Sequence, residues 1–355
     1  MSILYILLAL LLLGILITGH EFGHFISARM CGIAVKEFSI GFGPKILQWK
    51  SKKHETVFSI RPIPMGGYCM FYGDTDDDPD GTKMKDDPRC YNNAAVWKRM
   101  ISVFSGPLMN FVLAFVVAVV LMAVYGVTAA TPFVASVDEG KPAALAGLQA
   151  GDRFVTVRGT DMTNAAVTDV SAAIGDMSKG ETVELTVLRN GEELSFTIVP
   201  QYNEAEKRYL IGITIQQGYQ KLPGGMVIPA AWETCVDASH AILDALGKLV
   251  TTGEGLDQTS GPVGVVQMVA EQTQQGGLEI YLYLVVIISI NLGLMNLLPI
   301  PGLDGSRLVF MAIEAVRRKP VNQKIESVIH LCGYALLLAL MLYFTFKDVL
   351  RIFQR

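Results

Sequence analysis

Five consecutive residues, His20-Glu21-Phe22-Gly23-His24, carry the most specific chemistry in this sequence. On a helix of 3.6 residues per turn, histidines four apart stand one above the other on the same face. Two imidazoles at that spacing can bind one Zn²⁺, and the adjacent Glu21 can reach a water on that metal as general base. The pattern alone also arises by chance. Here it closes an apolar run that begins at Ile3. Ionisable groups at the end of a membrane helix are costly and usually mark function. The plainer alternative is an interfacial His/Glu cluster at a helix end.

A catalytic zinc usually takes three protein ligands and keeps one position open. A metzincin would continue with Gly and His where this chain has Ser27 and Met30. A thermolysin-like enzyme would use a Glu on a following helix, but Glu37 and Glu55 fall in a segment that reads as strand and loop. His54, beside Glu55, groups with Lys50, Lys52 and Lys53 as a solvated hairpin tip. Asp304 fits better. It follows Asn296-Leu297-Leu298-Pro299-Ile300-Pro301-Gly302-Leu303, where two prolines break another apolar run. Non-helical backbone at membrane depth is tolerated where protein buries it or it lines a water-filled cavity. Asp304 as a simple turn residue stays open at this point.

Four elements must position these groups: apolar runs at Ile3–Gly19, Ile101–Tyr125, Ile280–Leu298 and Ser327–Phe346, each about long enough to span a bilayer. The first has no basic leader and no clear small-residue cleavage site, so it reads as a retained helix rather than a signal peptide. Across 355 residues, 51% are hydrophobic and only 17% charged, against about 25% charged in soluble domains. That excludes a disordered chain or a highly charged nucleic-acid-binding one. Residues 25–102 carry twelve Lys/Arg and 305–326 five, while 127–279 has nine against nineteen Asp/Glu. The positive-inside rule then puts 25–102 and 305–326 inside and 127–279 outside. Helices one and three therefore run the same way, so His20 and Asp304 arrive at similar depth near the cytoplasmic face. Five scattered cysteines imply no disulfide framework.

These residues resemble the site-2 protease family of intramembrane zinc metalloproteases, in the bacterial branch with one extracytoplasmic PDZ domain. The likeness covers nearly the whole chain. His20 to His24 is similar to the family's first motif, and Asn296 to Gly305 to its NxxPxPxLDG motif, with Ser306 where many members have Gly. The resemblance implies His20, His24 and Asp304 as ligands of one Zn²⁺, Glu21 as base, and Asn296 as a contact for the substrate backbone. Gly41–Lys45 and Pro64–Tyr68 resemble a membrane-associated β-hairpin region. Val35–Ile40 and Thr56–Ile60 read as its strands, either an exposed edge for an unwound substrate or an ordinary packed hairpin. Gly106-Pro107-Leu108-Met109-Asn110 resembles the start of the second conserved helix, and Asn110 reads either as a hydrogen-bonding group near the site or, first, as glue between helices. Pro142 to Asp152 is similar to a bacterial PDZ core, followed by strands Val183–Leu188 and Leu194–Val199 around an Asn190-Gly191 turn.

The expected architecture is a multi-pass α-helical membrane protein. It has a first transmembrane helix (1–30), a β-hairpin region and acidic loop (31–100), and a second helix (101–126). A PDZ-like domain (127–217) and an amphipathic helix with connector (218–279) follow. A third helix (280–304), a cytoplasmic loop (305–326), and a fourth helix and tail (327–355) complete it. The acidic run Asp74–Asp87 reads as a solvated loop and lacks the EF-hand pattern. The expected activity is zinc endopeptidase cleavage within or near transmembrane segments of single-span proteins, such as an anti-sigma factor or a remnant signal peptide. The expected location is the bacterial cytoplasmic membrane, with lipid and membrane-protein substrates as partners and no nucleic acid. A PDZ adaptor would not need the His/Glu/Asp set. A metal transporter would need more ligands than His330 and Cys332, which read as packing or interfacial groups.

Overall fold

The computed structural model describes residues 2–52, 55–74, 87–163, 165–175, 181–189, 191–204, 208–220, 222, 224–255 and 260–353. Lys53 and His54 of the expected hairpin tip, the acidic run between Asp74 and Asp87, and Asn190 lie outside them. The chain forms two compact units, Met1–Leu121 with Ile228–Arg355, and Met122–Val227.

In the first unit, four helices are long and apolar enough to cross a membrane, as a multipass membrane protein requires: α1 (Ile3–Met30), α2 (Val96–Val124), α6 (Pro262–Leu297) and α8 (Gln323–Phe353). As far as Gly19, α1 is apolar on nearly all sides, so burial sorts its faces instead of polarity. Leu4, Leu7, Leu11 and Ile15 are exposed, while Ala9, Leu12, Leu16, His20, Gly23 and His24 are buried. An exposed apolar stripe of this kind suits lipid, not water. The inner stripe packs with Val269, Ala270 and Val285 of α6. α6 is interrupted at Gly277, whose φ of 66° L side chains rarely adopt. α5 (Val227–Thr251) is the expected amphipathic helix, with Ala231 and Ala238 buried.

Between α1 and α2 the chain forms β1 (Val35–Phe42), β2 (Leu47–Lys50), β3 (Val57–Ile60) and β4 (Ile63–Phe71), in the order β2-β3-β1-β4. This corrects the expected hairpin. Val35–Phe42 and Val57–Ile60 pair in parallel, with Glu37 opposite Val57. The short strand Leu47–Lys50 reverses the chain once more than expected, pairing antiparallel with β3. β4 pairs antiparallel with β1 and forms one edge of the sheet, with β2 at the other. The sheet is anchored by a core of Phe25 and Ala28 of α1, Val35, Phe38 and Phe71 of the sheet, and Tyr91, Val103 and Met311. Each large apolar side chain buried there contributes about 1.5–3 kcal/mol.

Glu37, one of the alternative ligands, is engaged elsewhere. Its carboxylate accepts from Ser59 Oγ at 2.7 Å, Arg61 Nη2 at 3.0 Å and Lys45 Nζ at 3.2 Å. Burial works to raise its pKa, but these donors outweigh burial and hold the carboxyl below its usual range.

A second correction concerns 305–326. Asp304–Arg317 is a helix, α7, not a loop. Its positive charge reads as a loop, yet Leu308 and Met311 sit at helical spacing and pack on the α1–sheet core.

The second unit holds β5 (Val127–Val137), α3 (Pro142–Ala146), β6 (Arg153–Val157), β7 (Thr160–Asp161), α4 (Val167–Gly175), β8 (Val183–Arg189) and β9 (Glu192–Ile198). β10 (Gln201–Asn203), β11 (Arg208–Leu210) and β12 (Ile213–Gln220) complete it. Its main sheet runs β12-β5-β6-β8-β9, with β7 on β6. α4 had not been anticipated. Val134, Phe154, Val157, Leu185, Val187, Ile198 and Ile211 fill the core, with Val170 and Ile174 from α4. Asp152, only 1% exposed, binds Arg189 through both oxygens at 2.6 and 2.7 Å and accepts the Gln149 N–H. Asp152→Ala would strand both donors. It should destabilise this unit by roughly 2–3 kcal/mol, readable as faster amide exchange in β6 and β8 of the intact protein.

Candidate active site

The sequence brings His20 and His24 to one face of α1, and the fold brings Asp304 to them. His20 Nε2 and His24 Nε2 lie 3.2 Å apart. Asp304 Oδ2 lies 3.0 Å from the first and 3.3 Å from the second. The connector 298–303 between α6 and α7 sets this meeting. Pro299 and Pro301 end α6, and Asp304 becomes the first residue of α7.

The histidines owe their fit to α2. Gly106 faces His24 so closely that a Cβ there would overlap the imidazole at Nε2 and Cε1. Gly23 likewise faces the Ser105 carbonyl. These absent side chains let α1 and α2 approach with the ring between them. His24 Nδ1 donates to the Ser102 carbonyl at 2.9 Å. A carbonyl only accepts, so Nδ1 carries the proton and Nε2 presents a lone pair. Ser27 Oγ donates to the Gly23 carbonyl at 2.7 Å on the same turn.

Asn110, fully buried on α2, places its side-chain amide 3.3 Å from His20 Nδ1, and its backbone carbonyl accepts from Ser289 Oγ of α6. Its carboxamide thus joins α2 to α1 at the site itself, which unites the two readings of the sequence, a bond near the site and glue between helices. Glu21 is half-buried on the neighbouring face. A Cβ at Gly67 of edge strand β4 would stand 3.5 Å from Glu21 Cγ, so strand and carboxylate flank the same space. Asn296 donates through Nδ2 to the Leu292 carbonyl at 3.0 Å, keeping its amide along its own helix.

The donor set fits a zinc ion on its own terms. Two imidazole nitrogens and a carboxylate oxygen converge at 3.0–3.3 Å, and Asp304 Oδ2 is buried with no hydrogen-bond partner. Acceptors crowded this way are satisfied by a cation. Metal–ligand bonds of about 2.0–2.1 Å at the tetrahedral angle put donor atoms about 3.3–3.4 Å apart. Among the described residues, these three form the group of His, Cys, Asp or Glu side chains able to hold a metal.

Residues 8–340 match the family model for Peptidase family M50. The chain belongs to peptidase family M50. The Agrobacterium fabrum protein Atu1380, whose name assigns it as a zinc metalloprotease, is 35% identical over 97% of this chain and 95% of its own. The regulator of sigma-W protease RasP of Bacillus subtilis is 30% identical over 97% and 98%, and zinc metalloprotease RasP of Bacillus licheniformis 31% over the same shares. This M50 peptidase is thus a zinc metalloendopeptidase, in accord with the site-2 protease resemblance of its two motifs.

Gly106 and Ser102 were missed because they act through space and backbone. Asn110 had a visible signal, a carboxamide inside an apolar helix.

Proposed function

We infer that this M50 peptidase is an intramembrane endopeptidase that hydrolyses peptide bonds within or near transmembrane segments of single-span proteins. The observation that carries the reading is the His20–His24–Asp304 triangle built on a membrane-length helix, α1. His20, His24 and Asp304 hold Zn²⁺, and Glu21 is the base. The metal supplies Lewis acidity, lowering the pKa of a water and polarising a carbonyl oxygen. Glu21 takes the water proton on its carboxylate and returns it to the leaving amine. Ser102 fixes His24 by accepting its Nδ1–H. Asn110 does the same for His20 when its amide presents Oδ1, which now lacks a partner, so that Nδ1 keeps the proton and Nε2 faces the metal. Asn110→Ala should weaken zinc binding by about 10-fold in a chelator titration.

A helical substrate hides its peptide bonds in its own hydrogen bonds, so cleavage requires an unwound segment. Edge strand β4 beside Glu21 suits pairing with such a segment, with Asn296 as a further contact to its backbone. The second unit acts as a PDZ-like domain, as a peptide receptor or a size filter. Lys/Arg distribution supports an active site toward the cytoplasm and this unit outside, in a bacterial cytoplasmic membrane. The name of the Bacillus subtilis relative, regulator of sigma-W protease, supports a regulatory proteolysis. An anti-sigma factor or a remnant signal peptide is the substrate that this reading assigns.

The test is zinc stoichiometry of the detergent-purified protein together with cleavage of a single-span substrate. Asp304→Ala should lose both. Full zinc retention in that variant would remove Asp304 from the ligand set.

A further inference from the structure

Asp304 is delivered by a turn with few internal restraints. In the connector 299–303, Pro299 and Pro301 have no N–H. The Ile300 N–H bonds the Leu298 carbonyl at 2.7 Å, and the Leu303 N–H bonds the Ile300 carbonyl at 3.0 Å. The remaining donor, the Gly302 N–H, leaves the connector and donates to His330 Nδ1 of α8 at 3.2 Å. Gly302 has a φ of 98°, so the N–H is aimed by a left-handed turn that other residues adopt with strain.

α8 is otherwise mostly exposed, yet His330 is buried. Around it the helix presses on the connector. A Cβ at Gly333 would overlap the Pro301 carbonyl oxygen, and one at Gly302 would meet the Tyr334 backbone nitrogen at 3.3 Å. Phe310 of α7 packs edge-on to the His330 ring, with centroids 5.6 Å apart. His330 thus touches the turn before Asp304 and the helix that Asp304 begins.

We propose that His330 is a positioning residue for the metal site: it accepts the Gly302 N–H and thereby fixes the turn that aims Asp304. This rests on Asp304 being a zinc ligand. A part-buried N–H without its acceptor pulls its peptide toward another partner, and Asp304 lies two residues away. His330 therefore acts on zinc through the backbone, which is a different role from filling space beside Phe310.

Two near-isosteric variants separate these roles. In His330→Asn the side-chain oxygen falls where Nδ1 was and can accept the Gly302 N–H. In His330→Gln the polar end falls where Nε2 was and cannot. Both lose the ring, so both lose its packing. Zinc affinity by chelator competition and amide exchange of the peptide containing Gly302 are read on the full-length protein in detergent, with Asp304→Asn as reference. His330→Gln and His330→Ala should bind zinc about 10-fold more weakly and exchange Gly302 faster, as expected when an outer partner of a ligand is lost. His330→Asn should stay within about threefold of the parent in affinity and keep Gly302 protected. Equal impairment of Asn and Gln variants would overturn the proposal in favour of ring packing. Parent-like zinc binding in His330→Gln, with Asp304→Asn losing zinc, would also overturn it. Parent-like zinc binding in Asp304→Asn itself would instead remove the ligand assignment on which the proposal stands.

Discussion

Glu21→Gln is expected to leave the protein folded and zinc-loaded while lowering peptide hydrolysis by about 10²–10⁴-fold, the usual contribution of a positioned general base. Glutamine keeps the shape of the side chain and removes its ability to hold a proton in transit. Glu21 stands one residue from His20 and is outside the His20–His24–Asp304 triangle, so metal affinity should change little. Its half-buried position beside Gly67 places it where an extended peptide along β4 would run. The measurement is single-turnover cleavage of a single-span substrate, with metal content determined on the same sample. A variant that cleaves at the parent rate with full zinc would sink the assignment of Glu21 as base.

A larger loss should follow from one added methyl group. In Gly106→Ala the new Cβ would overlap His24 Nε2, one corner of the ligand triangle, and the neighbouring Cε1. Overpacking typically costs about 1–3 kcal/mol where neighbours can shift. Here the ring is held by the Ser102 carbonyl on one side and faces His20 and Asp304 on the other. Either α2 withdraws from α1 or His24 leaves the triangle. Stoichiometric zinc and activity should both be lost. Gly19→Ala is the control. Its Cβ would meet Leu113 Cδ2 at 3.5 Å, ordinary van der Waals contact, on the same pair of helices. It should keep zinc near the parent level. Zinc retained in full by Gly106→Ala would mean that the α1–α2 gap is wider in solution.

The parts legible in the sequence were those encoded at short range. His-Glu-x-x-His declares a shared helical face through spacing alone, and the double proline before Asp304 declares a broken helix. The four membrane helices follow from run length, and the strands of the second unit from alternation. Strand direction was not legible. Val35–Ile40 and Thr56–Ile60 read as hairpin partners because they are neighbours in sequence. The intervening Leu47–Lys50 reversed the chain again, and its four exposed residues carry no burial pattern to reveal it. α7 was hidden by its charge, although Leu308 and Met311 had helical spacing. Gly106 was illegible for a different reason: a glycine's importance here lies in which ring occupies its missing side chain. His330 reads from the sequence as a packing or interfacial group because the acceptor role of its Nδ1 depends on one backbone N–H in a distant connector.

The separation of the triangle along the chain has a consequence for biosynthesis. His20 and His24 are made early, whereas Asp304 is made about 280 residues later, which at roughly 5–20 residues per second is about 14–56 s. With the ligand set proposed above, the nascent chain would hold two ligands throughout that interval and lack the third. It would then be unable to cut other newly made membrane segments until the third membrane helix is in place and α7 has begun.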